Sequence, residues 1–303
     1  MAILTVDNIT KNYGKLKALN QVSFSVPAGT VFGILGPNGS GKTTLLGIIM
    51  DVLKATEGEY SWNGQKGSHH QRKKIGTLLE TPNFYHYMSA EANLQIAAEI
   101  KGRGKDDIPR VLQAVNLYQR KNSKFNTYSL GMKQRLAIAS ALLGDPDVLV
   151  FDEPTNGLDP AGIAEIRDLI QELNRNGKTI IMASHILDEV EKVCTHVAII
   201  QKGVLKMVGS VAEVLSASTT NSKVIEAAAN DLAALENVLQ QMPGILKISI
   251  SENRLFLNCD ENITAEQVNK YCFEKGIILN RLNLKVKSLE TRFLEITGNQ
   301  SDR

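Results

Sequence analysis

A glycine-rich octapeptide at positions 36–43 is the part of this chain best suited to bind phosphate. It has the spacing G-x-x-x-x-G-K-[ST] and reads Gly36-Pro37-Asn38-Gly39-Ser40-Gly41-Lys42-Thr43. Its glycines let the backbone turn several N–H groups toward an anion, and the Lys42 ammonium reaches the terminal phosphates of a nucleotide. The Thr43 hydroxyl is predicted to bind Mg²⁺. The segment therefore predicts a site for a nucleoside triphosphate, to which Thr44 also belongs.

An acidic pair lies farther along the chain. Asp152 and Glu153 follow the apolar run 148–151, and the carboxyl ends of strands are where α/β sheets collect their ligands. Asp152 is predicted to hold Mg²⁺, directly or through water, and Glu153 to activate the attacking water as a general base. A merely solvated acidic pair is the alternative, and the phosphate-binding loop upstream argues against it.

The segments around these residues alternate between strand and helix patterns. The apolar run 31–35 predicts a strand directly before the loop, and 44–53 predicts a helix directly after it. The region 89–144 has mostly helical patterns, with Ser89 as an N-cap. Further strands are predicted at 3–10, 16–26, 60–62, 75–79, 148–151, 179–183, 197–200 and 204–208, and further helices at 162–174 and 187–194. Strands that alternate with helices predict an α/β fold with a mainly parallel core sheet, antiparallel strands and a helical subdomain.

A polar, turn-prone stretch at 216–222 indicates a linker. It divides the chain into a predicted nucleotide-binding domain, 1–215, and a small α+β accessory domain, 223–303. The patterns in the second part follow the order β-α-β-β-α-β, with a closing helix over 289–296. That order predicts a ferredoxin-like domain.

The composition is that of an ordinary soluble globular protein. The 303 residues are 43% hydrophobic and 22% charged, and the net charge of +2 gives no basis for predicting nucleic-acid binding. No apolar run reaches the roughly 18 residues that a membrane helix needs, and the first 13 residues have a strand pattern rather than that of a signal peptide. Three scattered cysteines, Cys194, Cys259 and Cys272, are expected to be buried thiols. We expect a cytoplasmic protein that needs a partner if it works at a membrane.

Several motifs in order resemble those of the ATPase subunits of ABC transporters. After the phosphate-binding loop come Asp152-Glu153-Pro154-Thr155, then Gly157-Leu158-Asp159-Pro160, then Ala183-Ser184-His185. The resemblance covers about residues 1–215. It implies the ABC ATPase fold, hydrolysis of ATP with Mg²⁺, and dimerisation with itself or a similar ATPase subunit. It also implies a polytopic membrane permease as partner, through which this protein is held on the inner face of the cell membrane.

The resemblance also implies roles for individual residues. Tyr13 stacks on adenine, and His185 contacts the γ-phosphate and holds the attacking water. Ser129, Leu130, Gly131 and Met132 stand where the family has its signature, which covers the nucleotide held by the other subunit. Only Ser129 and Gly131 match the family pattern there, and Leu130 replaces a glycine. Asp159 belongs to the loop at the dimer contact.

One departure from the family points toward a substrate class. Glu80 stands where the family usually has a glutamine that reaches Mg²⁺, and a carboxylate can still bind this hard cation. The exchange resembles ATPases of bacitracin- and lantibiotic-type exporters. The neighbouring aromatics Phe84, Tyr85 and Tyr87 are interpreted either as a small core or as a socket that grips a helix of the membrane partner.

Two other functions are compatible with a phosphate-binding loop. A soluble ABC-type ATPase that remodels ribosomes or DNA usually fuses two cassettes or inserts a long coiled coil, and this chain has one cassette without sustained heptads. A P-loop kinase does not require the Ser129 segment or the Asp159 loop. The prediction is therefore the ATP-hydrolysing subunit of an ABC exporter.

Overall fold

The computed structural model describes residues 1–79, 83–216, 222–251, 254–260, 262–285 and 288–297. The chain forms two compact units, whose main bodies are Met1–Val214 and Leu215–Glu295. No helix within the described ranges is both long and apolar enough to cross a membrane.

A six-stranded sheet forms the centre of the first unit. Its spatial order is β10-β9-β3-β8-β7-β6, and all neighbours are parallel except β10, which pairs antiparallel with β9. The strands are β3 (Val31–Leu35), β6 (Gly76–Leu78), β7 (Val148–Asp152), β8 (Thr179–Ser184), β9 (His196–Gln201) and β10 (Val204–Ser210). Every residue of β3, β7 and β8 is buried, as expected for parallel strands covered on both faces. The predicted mainly parallel core is confirmed.

An antiparallel sheet packs over this centre. It has the order β2-β1-β4-β5 and consists of β1 (Ala2–Tyr13), β2 (Leu16–Pro27), β4 (Glu57–Trp62) and β5 (Gln65–Lys66). One buried hydrophobic cluster contains side chains from both sheets and from helix α1 (Lys42–Ile49). Burial of this apolar surface fixes the helix that follows the phosphate-binding loop.

The remaining helices of the first unit lie between the strands in sequence. They are α2 (His69–Arg72), α3 (Ala90–Lys101), α4 (Ile108–Ala114), α5 (Leu130–Leu142), α6 (Pro160–Arg175), α7 (Leu187–Val193) and α8 (Val211–Ser216), with short 3-10 helices at Tyr118–Arg120 and Phe125–Thr127. Helices α3, α4 and α5 contact one another and form the predicted helical subdomain between β6 and β7. Ser89 caps α3 as predicted, since its side chain accepts from the N–H of Ala92.

Some predicted boundaries were wrong. Helix α1 begins at Lys42 rather than at 44, because the left-handed Gly41 (φ 106°) is its N-cap. It ends at Ile49 rather than at 53, because the N–H groups of Val52 and Leu53 turn back to the Gly47 carbonyl. The short elements β5, α2 and α8 were missed, since they are too short for a periodic pattern to be recognised.

The second unit is an antiparallel sheet covered by helices. Its elements are β11 (Ser222–Ala229), α9 (Leu232–Leu239), β12 (Ile245–Ser251), β13 (Arg254–Asp260), α10 (Ala265–Glu274) and β14 (Leu279–Lys285), and the described chain ends in α11 (Leu289–Thr297). The strand order is β12-β13-β11-β14 with antiparallel neighbours. Side chains from β11, β13, α9 and α10 form its core, which includes Cys259 and Cys272. Positions 217–221 of the predicted linker lie outside the described residues.

Candidate nucleotide site

The phosphate-binding loop joins β3 to α1 and leaves no room for side chains at its tightest point. A methyl group at Gly36 would lie 2.2 Å from the Ile200 carbonyl oxygen and 2.4 Å from Oγ of Ser40. Oγ of Ser40 is buried and has no hydrogen-bond partner among the described residues. Only glycine fits at position 36, because the loop folds directly against β9. The resulting cradle, with a buried hydroxyl, fits an anion such as phosphate.

Lys42 is held inside this loop. Its side chain is 6% exposed, and Nζ donates to the Gly36 carbonyl at 2.8 Å. Nζ also lies 3.5 Å from Oε1 of Glu153, whose side chain is 20% exposed. A largely desolvated ammonium needs such a partner because an unpaired charge is costly to bury.

Glu153 and His185 meet at the ends of neighbouring strands. Nδ1 of His185 donates to Oε2 of Glu153 at 2.8 Å. The parallel register of β7 on β8 pairs Asp152 with Ala183, and the N–H of Glu153 donates to the Ala183 carbonyl at 3.0 Å. Glu153 has the left-handed φ of +49°, which is uncommon outside glycine and costs energy. This turn directs the carboxylate toward both Lys42 and His185.

A cleft of about 320 Å³ opens beside these groups. It is lined by Tyr13, Leu16, Ala18, Asn38, Gly39, Gly41, Lys42, Thr43, Thr44 and Glu153. The structure thus brings Tyr13, the phosphate-binding loop and Glu153 together, as the sequence predicted for residues of one nucleotide site. Asp152, at the end of β7, is 5% exposed.

Sequence reasoning missed one neighbour of Tyr13. Nζ of Lys11 lies 5.1 Å from the centroid of the Tyr13 ring, which is 46% exposed. A cation over an aromatic face is attracted by the ring quadrupole. Two residues that are two positions apart in a strand share a face, and this spacing could have indicated the pair.

The signature residues lie at the start of α5, outside the residues that line this cleft. Oγ of Ser129 accepts from the N–H of Met132 at 3.3 Å and so caps the helix. Leu130 is 50% exposed, and a methyl group at Gly157 would lie 3.2 Å from its Cδ2. Gly131 has ample space, since the nearest atom to a methyl group there is 4.0 Å away. Asp159 caps α6 by accepting from the N–H of Gly162 at 2.9 Å.

Three magnesium ligands were predicted from the sequence. Thr43 and Asp152 belong to the described residues, and Glu80 lies outside them. Within the described ranges, no group of three or more His, Cys, Asp or Glu side chains could hold a metal ion. Thr43 and Asp152 nevertheless supply the oxygen atoms that Mg²⁺ prefers, and this ion takes much of its coordination from phosphates and water. The donor set therefore fits magnesium that arrives with a nucleotide.

Comparison with known proteins gives the family. The family model described as ABC transporter matches residues 19–156. The chain is 32% identical over 301 residues to the bacitracin transport ATP-binding protein BcrA of Enterococcus faecalis. The alignment covers 98% of this chain and 96% of that protein. The chain belongs to the ABC transporter ATP-binding proteins. This ABC ATPase subunit is also 38% identical over 201 residues to the lantibiotic transport ATP-binding protein SrtF of Streptococcus pyogenes. That alignment covers 66% of this chain and 88% of the relative.

Solved structures agree with this family. A dimeric ATP-binding cassette in a post-hydrolysis state, bound to ADP and Pi, superposes with a TM-score of 0.62 at 28% identity, over 69% of this chain and 98% of that one. The resemblance predicted from the motifs is confirmed. The protein is an ATP-binding and ATP-hydrolysing subunit of an ABC transporter.

Proposed function

We propose that this ABC ATPase subunit powers efflux of a peptide antibiotic or another drug through a separate membrane permease. The observation that carries the proposal is the match to bacitracin transport protein BcrA over 98% of the chain, since it extends through the second unit as well as the ATPase unit. The subunit would be cytoplasmic and held on the inner face of the membrane by its permease.

We assign hydrolysis to Glu153 and His185. Glu153 takes a proton from the attacking water, and the hydrogen bond from His185 at 2.8 Å orients its carboxylate. Lys42 supplies positive charge where the terminal phosphates are bound, and the glycine loop supplies N–H donors. Thr43 and Asp152, with Glu80 as a further ligand, would hold Mg²⁺, which would supply positive charge against the phosphate oxygens.

Two subunits act together in this proposal. The cleft that contains Lys42 is not lined by Ser129, although both belong to the same unit. A nucleotide in the cleft is then covered by the helix N-terminus at Ser129 of a second protomer, where N–H groups favour an anion. ATP binds the closed pair better than the open one, so it shifts the population toward closure. Hydrolysis removes the shared phosphate contact and lets the pair reopen.

Isolation of the tagged subunit from detergent-solubilised membranes tests the transport role. We expect it to co-purify in stoichiometric amounts with a multi-span membrane protein, and cells that carry Glu153→Gln to lose resistance to the exported compound. Recovery of ribosomes instead of a membrane protein would favour a soluble remodelling ATPase. Glu172→Gln, an exposed carboxylate of α6, is the matched control and should leave resistance unchanged.

A further inference from the structure

The segment Phe84–Met88, which we call the aromatic loop, presents two tyrosines to solvent. Tyr85 is 50% and Tyr87 is 70% exposed, and their rings meet edge-on at 6.0 Å. Beside the loop lies a cavity of about 590 Å³; the described residues that line it carry no charge and include Leu78, Ile96, Ile100 and Ala137. Exposed aromatic rings beside an uncharged cavity are typical of protein contact surfaces.

Asn93 of α3 fixes the backbone of the aromatic loop. Its side chain is 2% exposed. Oδ1 accepts from the N–H of Tyr85 at 2.7 Å, while Nδ2 donates to the carbonyls of Tyr85 at 3.1 Å and Ser89 at 2.9 Å. A buried amide with its polar atoms satisfied stabilises one conformation. The exposed tyrosines therefore stand on a defined backbone.

The opposite edge of the aromatic loop is joined to Phe125. The N–H of Phe125 donates to the Met88 carbonyl at 2.9 Å, and the N–H of Asn126 donates to the His86 carbonyl at 3.0 Å. The Phe125 ring, 2% exposed, meets the Phe84 ring edge-on at 5.2 Å and the His86 ring at 5.6 Å. Backbone hydrogen bonds and ring contacts therefore both join the aromatic loop to the segment around Phe125.

Phe125 also contacts the start of α5. Its ring lies 6.3 Å from that of Tyr128, the residue before Ser129, and Nζ of Lys133 lies 5.4 Å from its centroid. The Tyr128 hydroxyl donates to the Arg120 carbonyl at 2.7 Å, which holds that ring in place. One buried ring therefore connects the aromatic loop with the first turn of the helix that Ser129 caps.

We propose that Phe125 is a positioning residue that couples the aromatic loop to the Ser129 end of α5. A membrane partner that presses on Tyr85 and Tyr87 would shift Ser129 relative to the nucleotide of the other protomer, because close-packed side chains transmit displacement. Phe84 accordingly belongs to a small core, and Tyr85 and Tyr87 form the socket. The inference rests on the proposed joint binding of ATP by two subunits.

Thermodynamic linkage makes this coupling measurable without the permease. If contact on the aromatic loop biases the Ser129 end, closure over ATP must bias the loop to the same extent. Amide hydrogen exchange, resolved to single amides, is measured on the full-length Glu153→Gln protein with and without MgATP. We expect slower exchange at Met132 and a change of roughly fivefold or more at Tyr85 and Asn126.

Adding Phe125→Leu separates the two ends of the coupling. The response at Met132 should persist, while the response at Tyr85 and Asn126 disappears. Leu94→Ala is the control, since it removes a buried side chain from α3 and keeps phenylalanine at position 125; its Tyr85 response should remain. If Phe125→Leu does not fold, Lys133→Met removes only the cation over the ring and should weaken the Tyr85 response.

The outcomes distinguish the two proposals. A response at Met132 with none at Tyr85 and Asn126 would overturn the coupling and leave joint ATP binding intact. A Tyr85 response that survives Phe125→Leu would show that the ring is not the connection. No response at Met132 would refute joint binding itself, and the coupling with it.

Discussion

Replacement of Glu153 by Gln is the most direct test of the site because it removes one charge and little volume. In the structure, the carboxylate accepts from His185 at 2.8 Å and lies 3.5 Å from Nζ of Lys42. Gln cannot take a proton from water at neutral pH. It can still occupy the same position, so the fold and the phosphate-binding loop should remain intact.

Glu153 contributes more to the rate of hydrolysis, as a general base, than it does to ATP binding through its ion pair with Lys42. Loss of a general base lowers the rate by about 10²–10⁴-fold, which corresponds to about 3–5 kcal/mol in activation free energy. The Coulomb attraction across 3.5 Å is about 5 kcal/mol at an effective dielectric constant of 20. Solvent at the partly exposed carboxylate reduces its net contribution to roughly 1 kcal/mol. Because Lys42 then no longer shares its charge with a carboxylate, the variant should bind ATP as tightly as wild type or up to about fivefold more tightly.

Phosphate release gives kcat, and equilibrium titration with a fluorescent ATP analogue gives Kd. We expect kcat to fall by at least about a hundredfold while ATP binding persists, and sedimentation with MgATP to show an accumulated dimer. Glu172→Gln controls for loss of a surface charge. A Glu153→Gln protein with wild-type turnover would refute the assignment of the base, whereas loss of ATP binding would show that Glu153 mainly orders the loop.

Three further variants test other parts of the structure. Gly36→Ala should abolish ATP binding in titrations, because its methyl group would lie 2.2 Å from the Ile200 carbonyl; normal affinity would contradict the tight loop. Burial lowers the pKa of Lys101 from 10.5 to about 8. Between these values only the unfolded chain binds this proton, so Lys101 should add on the order of 3 kcal/mol to stability as the pH rises from about 8 to 10.5. Chemical denaturation should show wild type gaining stability over this range relative to Lys101→Met, and no such difference would contradict the burial of a protonated amine. Glu226→Gln should destabilise the second unit by about 1–3 kcal/mol in urea unfolding, since this buried carboxylate pairs with Arg254 at 3.0 Å and with Arg281 at 2.7 Å. Unchanged stability would mean that the pairs contribute nothing.

The sequence predicted the elements well where their patterns are long or sharply bounded. The apolar runs at β3 and β7 predicted strands of a mainly parallel sheet, and Ser89 predicted the start of α3, because burial and capping are encoded in adjacent residues. The end of α1 could not be predicted in this way. It depends on where the chain turns back to the Gly47 carbonyl, which apolar periodicity does not show.

The chemistry of the site followed from residue types, and its geometry did not. The loop 36–43, the acidic pair and the order of the motifs determined that the chain handles a nucleoside triphosphate and belongs to its family. Only the tertiary structure decided that the Glu153 carboxylate contacts both His185 and Lys42. Those contacts depend on the register of β7 on β8 and on the left-handed turn at Glu153, and strand register is set by packing across the whole sheet.

Packing also decides which residues of the aromatic loop are buried and which are exposed. Three aromatics within four residues are visible in the sequence, but their spacing cannot tell a core residue from a docking residue. The fold turns Phe84 inward onto Phe125 and leaves Tyr85 and Tyr87 exposed. Residue types alone determined what this protein binds; the packing of segments distant in sequence decided which side chains meet, because such contacts form only when the complete core excludes water.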